Sequence, residues 1–316
     1  MSRVRTVLPT DLVALVSYDG RVYPNEAKTW DRLGAHEHGP HPLETAIEQW
    51  FSFATGKHTW ISVRGPAIRG LVSARPRAKR NAWEVDCLIN ADDDSSVCLS
   101  LLSRMARDIG SAGAERVFLR LCAESSLLDV VREAGFFPYA RERLFRRDDP
   151  VEIEKLNALS SDVSFRPRTK AAQWGVFQLY QSAVPANVRS LEGFTLRDWQ
   201  SCQERWGGRV KDLVLEEEGI ITAWLRLAAA GEGRFRILLH PRYGPDPAAI
   251  VQAALARLAG RHPLLSLLPR YADQHAPILR GLGFREAAEY VLLAKRLLRG
   301  VEEMAPEKAG QAVPVS

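Results

Sequence analysis

A chain of 316 residues, 46% hydrophobic and 26% charged, is long enough for two domains with real cores and is ordinary for a soluble globular protein. No apolar run approaches the roughly 18 residues that a spanning helix needs. The four cysteines, Cys87, Cys98, Cys122 and Cys202, form no CxxC pair, which argues against a disulfide framework or a structural zinc and fits reduced thiols. The net charge of +5 permits an anionic partner without demanding one.

In chain order, VRTVL near the start predicts a strand, and the apolar patch after it is broken by Asp11, too short for a signal peptide. A cytoplasmic protein is therefore expected. Helical patterns follow in LVALVSY and PLETAIEQWFSFATG, then three strands in HTWISVRG, AIRGLVSAR and AWEVDCLI. A helix in SSVCLSLLSRMARDIGSAG carries Val97, Leu101, Leu102, Met105 and Ala106 on one stripe and feeds the strand RVFLRLCA. In the short helix SSLLDVVREAG, Leu127, Leu128, Val131 and Ala134 recur at helical spacing, and Gly135 stands where a left-handed cap is wanted. From Phe136 the period drops to two, which predicts a closing strand.

A polar connector, DDPVEIEKLNALSSD, separates this unit from a second one. There VSFRPR predicts a strand, AAQWGVFQLYQSAV an amphipathic helix and TLRDWQSCQERW a further helical segment. VKDLVLEEEG, IITAWLRLAAA and RFRILLH read as a meander with glycine turns. PAAIVQAALARLAG is a helix, PLLSLLPRYA a strand, HAPILRGLG a helix and FREAAEYVLLAKRL a strand. The Gly135-Phe136 step returns as Gly283-Phe284, an offset of 283 − 135 = 148 residues, and the order of elements matches in both halves. The expected organisation is an α+β domain over 1–147, a linker over 148–163, a second copy over 164–300 and a disordered tail over 301–316.

The two endings VVREAGF and ILRGLGF resemble the helix-to-strand ending, Tyr-x-x-x-Gly-Phe, of the GNAT (Gcn5-related N-acetyltransferase) family, and the resemblance covers nearly the whole chain. It implies two tandem GNAT-like domains, each a mixed, mostly antiparallel sheet flanked by helices. It also implies acyl-CoA bound where the fourth and fifth strands splay, with its pyrophosphate on the N-terminus of the next helix, where free N–H groups and the helix dipole favour an anion. Acetyl-CoA is the implied donor and a primary amine, on a small molecule or a protein, the acceptor.

Both halves depart from the family's glycine-containing phosphate loop. The first holds NADDDSSVC, whose Asp92, Asp93 and Asp94 suit helix capping better than a phosphate; at an effective dielectric of about 20, two unit charges ~5 Å apart repel by roughly 3 kcal/mol. The second holds HPRYGPDPAAIV, where Arg242 and Gly244 supply charge and a turn while Pro245 and Pro247 remove donors. The resemblance assigns cofactor contacts to Leu239, His240, Arg242, Tyr243, Gly244 and Ala248, and to Asp273 near a position where the family often has asparagine. The family's tyrosine acid falls on Val131 and Leu279, neither of which can serve, so Tyr271 is the candidate acid, with a packing role as the alternative. Glu84, on the fourth strand, is the candidate base, with an ion pair to Arg69 or Arg75 as the alternative for it and Asp86.

HEHGPH brings His36, His38 and His41 together, but a Gly-Pro loop fixes no coordination geometry, so no metal site is assigned. ARPRAKR places Arg75, Arg77, Lys79 and Arg80 at a predicted hairpin tip, a patch that would attract phosphate, without aromatic interleaving or a nucleic-acid motif. The leading expectation is acyl-CoA-dependent N-acyltransfer in the second half. The alternatives are a binding or sensing module that kept the fold, and an aminoacyl-tRNA-dependent transferase of the Fem-like kind, some of which pair two such domains.

Overall fold

Gly135 and Gly283 adopt φ of 84° and 82°, the left-handed conformation that ends a helix and that side chains rarely adopt. Each helix so ended leads into a long strand, as the repeat predicts. The computed structural model describes residues 3–7, 11, 23–33, 56–65, 67–91, 94–150, 163–242, 244 and 246–297. The helical patterns at 12–18 and 42–55, the histidines at 36, 38 and 41, Tyr243 and the tail lie outside these residues.

The first half contributes β1 (Arg3–Thr6), β2 (His58–Arg64), β3 (Ala67–Pro76), β4 (Ala82–Asn90), helix α1 (Ser95–Ser111), β5 (Arg116–Cys122), α2 (Leu128–Glu133) and β6 (Phe137–Arg147). The second contributes β7 (Arg166–Pro167), α3 (Gln173–Ala183), α4 (Ala186–Glu192), α5 (Leu196–Cys202), β8 (Arg209–Glu217), β9 (Ile220–Ala230), β10 (Glu232–Leu239), α6 (Pro247–Arg257), β11 (Leu264–Pro269), a 3-10 turn (Arg270–His275), α7 (Ala276–Gly281) and β12 (Arg285–Arg296). None of the described helices is long and apolar enough to cross a membrane.

The strands form one sheet in the order β1-β2-β3-β4-β5-β12-β6-β11-β10-β9-β8-β7. The last strands of the two halves are exchanged. β12 pairs antiparallel with β5, from Tyr290 opposite Cys122 to Arg296 opposite Arg116, and β6 pairs antiparallel with β11, from Leu264 opposite Arg147 to Pro269 opposite Glu142. β12 and β6 then pair with each other and join the two sheets. In space, each half is thus completed by a strand of the other.

Alternation along these strands sets the two faces. Val291 and Leu293 pack with Leu101, Met105 and Val131 under α1 and α2, and Phe145, Leu264 and Leu268 pack with Val251 and Leu255 of α6. Leu292 and Ala294 face the other way, with Phe177, Tyr180 and Trp199 of α3 and α5. Residues 23–33 pass through the sheet between β4 and β5. Ala27 joins the α1 cluster, whereas Trp30 and Leu33 pack on the opposite face against Leu144, Leu265, Leu267 and Tyr290. The Arg234 guanidinium on β10 donates to the main-chain oxygens of both Trp30 and Leu33.

That same face holds a buried charge network across the junction. Arg120 meets Glu142 at 3.0 Å and Glu204 at 2.6 Å, and Arg236 meets Glu142 at 2.7 Å and Glu204 at 3.3 Å. Burial opposes ionisation of Glu204, but Arg120, Arg77 and Arg236 outweigh it and hold its carboxyl down to about 2. Arg75 reaches Asp31 at 2.7 Å and Glu84 at 2.8 Å, and Arg77 lies 3.9 Å over the Phe118 ring. The predicted basic hairpin tip is therefore half internal: Arg75 and Arg77 point into this network, and Lys79 and Arg80 are exposed.

Removing Arg120 leaves two buried carboxylates, Glu142 and Glu204, to share the remaining guanidinium groups of Arg236 and Arg77 in a dry site. Arg120→Met is expected to destabilise the protein by about 3–5 kcal/mol, read as a lower urea midpoint at neutral pH. Adding Glu142→Gln should restore part of that loss.

Candidate active site

The parallel strands β10 and β11 pair only at Gly233–Phe235 with Leu264–Ser266 and then diverge. The His240 N–H donates to the Thr222 oxygen at 2.8 Å, so the even-numbered residues of β10 bond to β9 and the odd ones turn their N–H and C=O the other way. Ile237 and Leu239 accordingly present main-chain donors and acceptors to the widening cleft. Among the described residues, no segment of the chain pairs with this edge beyond Phe235.

The first half has the same splay, for β4 and β5 pair only at Ala82–Glu84 with Arg116–Phe118. There the chain fills its own cleft. The Asn25 carboxamide accepts from the Leu88 N–H at 2.9 Å and donates to the Asp86 oxygen at 3.1 Å. The Glu26 N–H donates to the Leu88 oxygen and the Lys28 N–H to the Arg120 oxygen, each at 2.9 Å.

The open cleft is a cavity of about 400 Å³. One wall comes from α3, α4 and α5 through Tyr180, Glu192 and Trp199; the rest comes from Thr222 and Trp224 of β9, the β10 edge, and Tyr271 and His275 after β11. Gly193 makes the α4–α5 turn possible, since a Cβ there would lie 2.4 Å from the Trp199 Cα. This close approach sets Glu192, the last residue of α4, into the wall. Its carboxylate accepts a hydrogen bond from the Tyr139 hydroxyl at 2.7 Å, a residue of the exchanged strand β6.

Burial pushes the Glu192 carboxyl above its ordinary range, against the opposing effect of Arg236, Arg77 and the Tyr139 hydrogen bond. Burial likewise pushes the Tyr271 phenol up despite Arg236, so it stays a donor. Two buried hydroxyls of the wall, Tyr180 Oη and Thr222 Oγ1, have no hydrogen-bond partner among the described residues. Such groups mark where a polar ligand would restore the missing bond.

Of the residues assigned from sequence, Leu239, His240, Arg242, Gly244 and Tyr271 line this cavity together. Ala248 stands behind the helix start, its N–H bonded to the Asp246 carboxylate at 3.0 Å. Asp273 turns away to Arg143 at 2.6 Å and Arg270 at 3.0 Å. Glu84 belongs to the other half, where Arg75 and Arg77 flank its carboxylate at 2.8 Å and 3.3 Å beside the filled cleft. Asp86 is likewise engaged, by Lys57 at 2.9 Å and the Ser73 hydroxyl at 2.6 Å. Among the described residues no group of three His, Cys, Asp or Glu could hold a metal ion. Sequence reasoning missed Glu192, Tyr180 and Thr222; the Pro185 before a helix pattern at 186–192 was the available signal for the first.

No family model matches the sequence, and no curated protein matches it. Solved structures do resemble the fold. A GCN5-related N-acetyltransferase from Sphaerobacter thermophilus has a TM-score of 0.56 at 15% identity, over 95% of this chain and 97% of its own. A putative acetyltransferase from Pyrococcus horikoshii has a TM-score of 0.51 at 13% identity, over 93% and 89%. A tandem GNAT protein from the clavulanic acid biosynthesis pathway has a TM-score of 0.50 at 10% identity, over 94% and 99%. The fold is therefore a tandem GNAT-like α+β fold.

The raised Glu192 carboxyl has a consequence for stability. The folded state holds this proton more tightly, so its contribution is fully present below the ordinary value of 4.5 and is lost as pH rises through the higher folded value. Glu192→Gln is expected to raise the urea midpoint relative to wild type at about pH 8, with the difference vanishing below about pH 4.5.

Proposed function

We propose that the β10–β11 cleft transfers an acyl group from an acyl-CoA-type thioester to a primary amine, with acetyl-CoA as the donor. The observation that carries this reading is an unpaired strand edge that opens beside a raised carboxyl, Glu192, and a protonated phenol, Tyr271. The donor would bring an acyl carbon already activated as a thioester. Its pantetheine arm fits the cleft, since the arm's amides can pair with the N–H and C=O groups of Ile237 and Leu239 as a short strand would. The diphosphate fits poorly, because Asp246 already caps α6.

The chain's own groups divide the work. Leu239, His240, Arg242 and Gly244 border the arm, and the β10 edge orients it. Glu192 Oε takes a proton from the incoming ammonium, which frees the amine to attack; a carboxyl raised by burial is a stronger base than an ordinary one. The Tyr271 hydroxyl stands as the proton donor to the departing sulfur, and the Tyr180 hydroxyl is a spare donor at the same wall. Tyr139 holds Glu192 in place. In this reading the chain carries two tandem copies of one domain, over 1–147 and 164–300, and the second binds the donor. The acceptor is a small or protein-borne amine, and the four free cysteines are in keeping with a cytoplasmic setting.

A second reading is a module that binds an amide-bearing strand without chemistry; the self-filled first cleft favours it. Transfer from aminoacyl-tRNA has less support, because half of the basic hairpin is internal.

Release of free thiol from acetyl-CoA over a panel of amines tests the proposal. Glu192→Gln should lower kcat by about 10²–10³ and Tyr271→Phe by about tenfold, with donor affinity unchanged. The rate should rise with pH through the raised Glu192 value, and a Glu192→Gln enzyme as fast as wild type would remove Glu192 from the mechanism.

A further inference from the structure

The first-half cleft shows what an edge of this kind accepts. The Asp86 oxygen and both main-chain groups of Leu88 are satisfied there by the Asn25 carboxamide and the Glu26 N–H, uncharged amides bound with no anion. The β10 edge repeats that arrangement at Ile237 and Leu239.

The start of α6 offers an anion almost nothing. Pro247, at its first position, has no N–H. The Ala248 N–H is given to the Asp246 carboxylate at 3.0 Å and the Ala249 N–H to the Asp246 main-chain oxygen at 3.0 Å. A carboxylate from the chain itself thus occupies the helix pole that attracts phosphate. Asp94 does the same at α1, accepting from the Ser96 N–H at 2.9 Å.

Resting on the thioester reading above, we propose that the second cleft recognises its donor through the amides of the pantetheine arm and not through the nucleotide. Acylated pantetheine is then as good a donor as acyl-CoA. The reaction balances identically for both. The ammonium yields one proton to Glu192; as the nitrogen–acyl bond forms and the carbon–sulfur bond breaks, the sulfur takes the Tyr271 hydroxyl proton to leave as free thiol, and the nitrogen gives up a second proton that restores the Tyr271 hydroxyl. The nucleotide takes no part.

Calorimetric titration of the full chain with acetyl-pantetheine and with acetyl-CoA decides it. The two dissociation constants are expected to agree within about threefold, and acetyl-CoA binding to change little between about 50 and 500 mM salt. Leu239→Pro deletes a donor of the cleft edge and should weaken both ligands about tenfold or more. Asp246→Asn keeps a capping side chain without its charge, so it should tighten acetyl-CoA alone; an equal change for both ligands overturns the assignment of that carboxylate. Acetyl-pantetheine binding about a hundredfold weaker than acetyl-CoA would overturn this inference and leave the thioester reading standing. Binding of neither would overturn both.

Discussion

The exchange of β6 and β12 is the constraint on which the rest of the molecule depends. Two final strands that pair with each other, and each with the other half's sheet, turn two units into one continuous surface. Every strand of such a junction needs both edges satisfied, and neither half can meet that need alone. Charge follows the same logic: Arg120 from the first half and Arg236 from the second converge on Glu142, which β6 carries across. An ion network of this kind contributes specificity of pairing more readily than net stability, because any other register would strand a charge in the interior.

Within that frame the two clefts have diverged. Both open by the same parting of a parallel pair after three residues. One is threaded by residues 23–33, which cross to the opposite face and reach Arg234 on β10. The other stays open, with a wall drawn from α3, α4, α5 and the turn after β11. The threaded segment is thus a structural brace: Trp30 stacks near Trp206, ring centroids 4.1 Å apart, and Asp31 anchors Arg75.

Much of this was legible in the sequence. The glycines at 135 and 283, the strand meanders and the repeat are local signals, written in residues that act on their own neighbours. The second-half loop was legible too, since His240, Arg242 and Gly244 follow a strand and precede a helix. What could not be read was pairing. Periodicity says that Phe137–Arg147 is a strand but not which edge it joins, so the exchange is invisible. Glu84 could be read as a base or as an ion-pair partner of Arg75, and only register and burial place the Arg75 and Arg77 guanidinium groups on it. Glu192 went unseen because ANVRSLE is a seven-residue helix whose only buried residues are Val188 and Leu191, and only the tertiary fold sets its carboxyl in the cleft wall.

The exchanged order also bears on how the chain comes to be folded. β4 covers one edge of β5, but the other finds its neighbour only in residues 285–296, so a nascent chain that has emitted the whole first half still carries an unmatched strand edge. β6 meanwhile waits for β11 and cannot settle on its final partner until most of the second half has emerged. Completion is therefore deferred until residues 285–296 are made, when β12 enters between two strands made long before it. A protein built this way closes like a clasp, and its first half matures last.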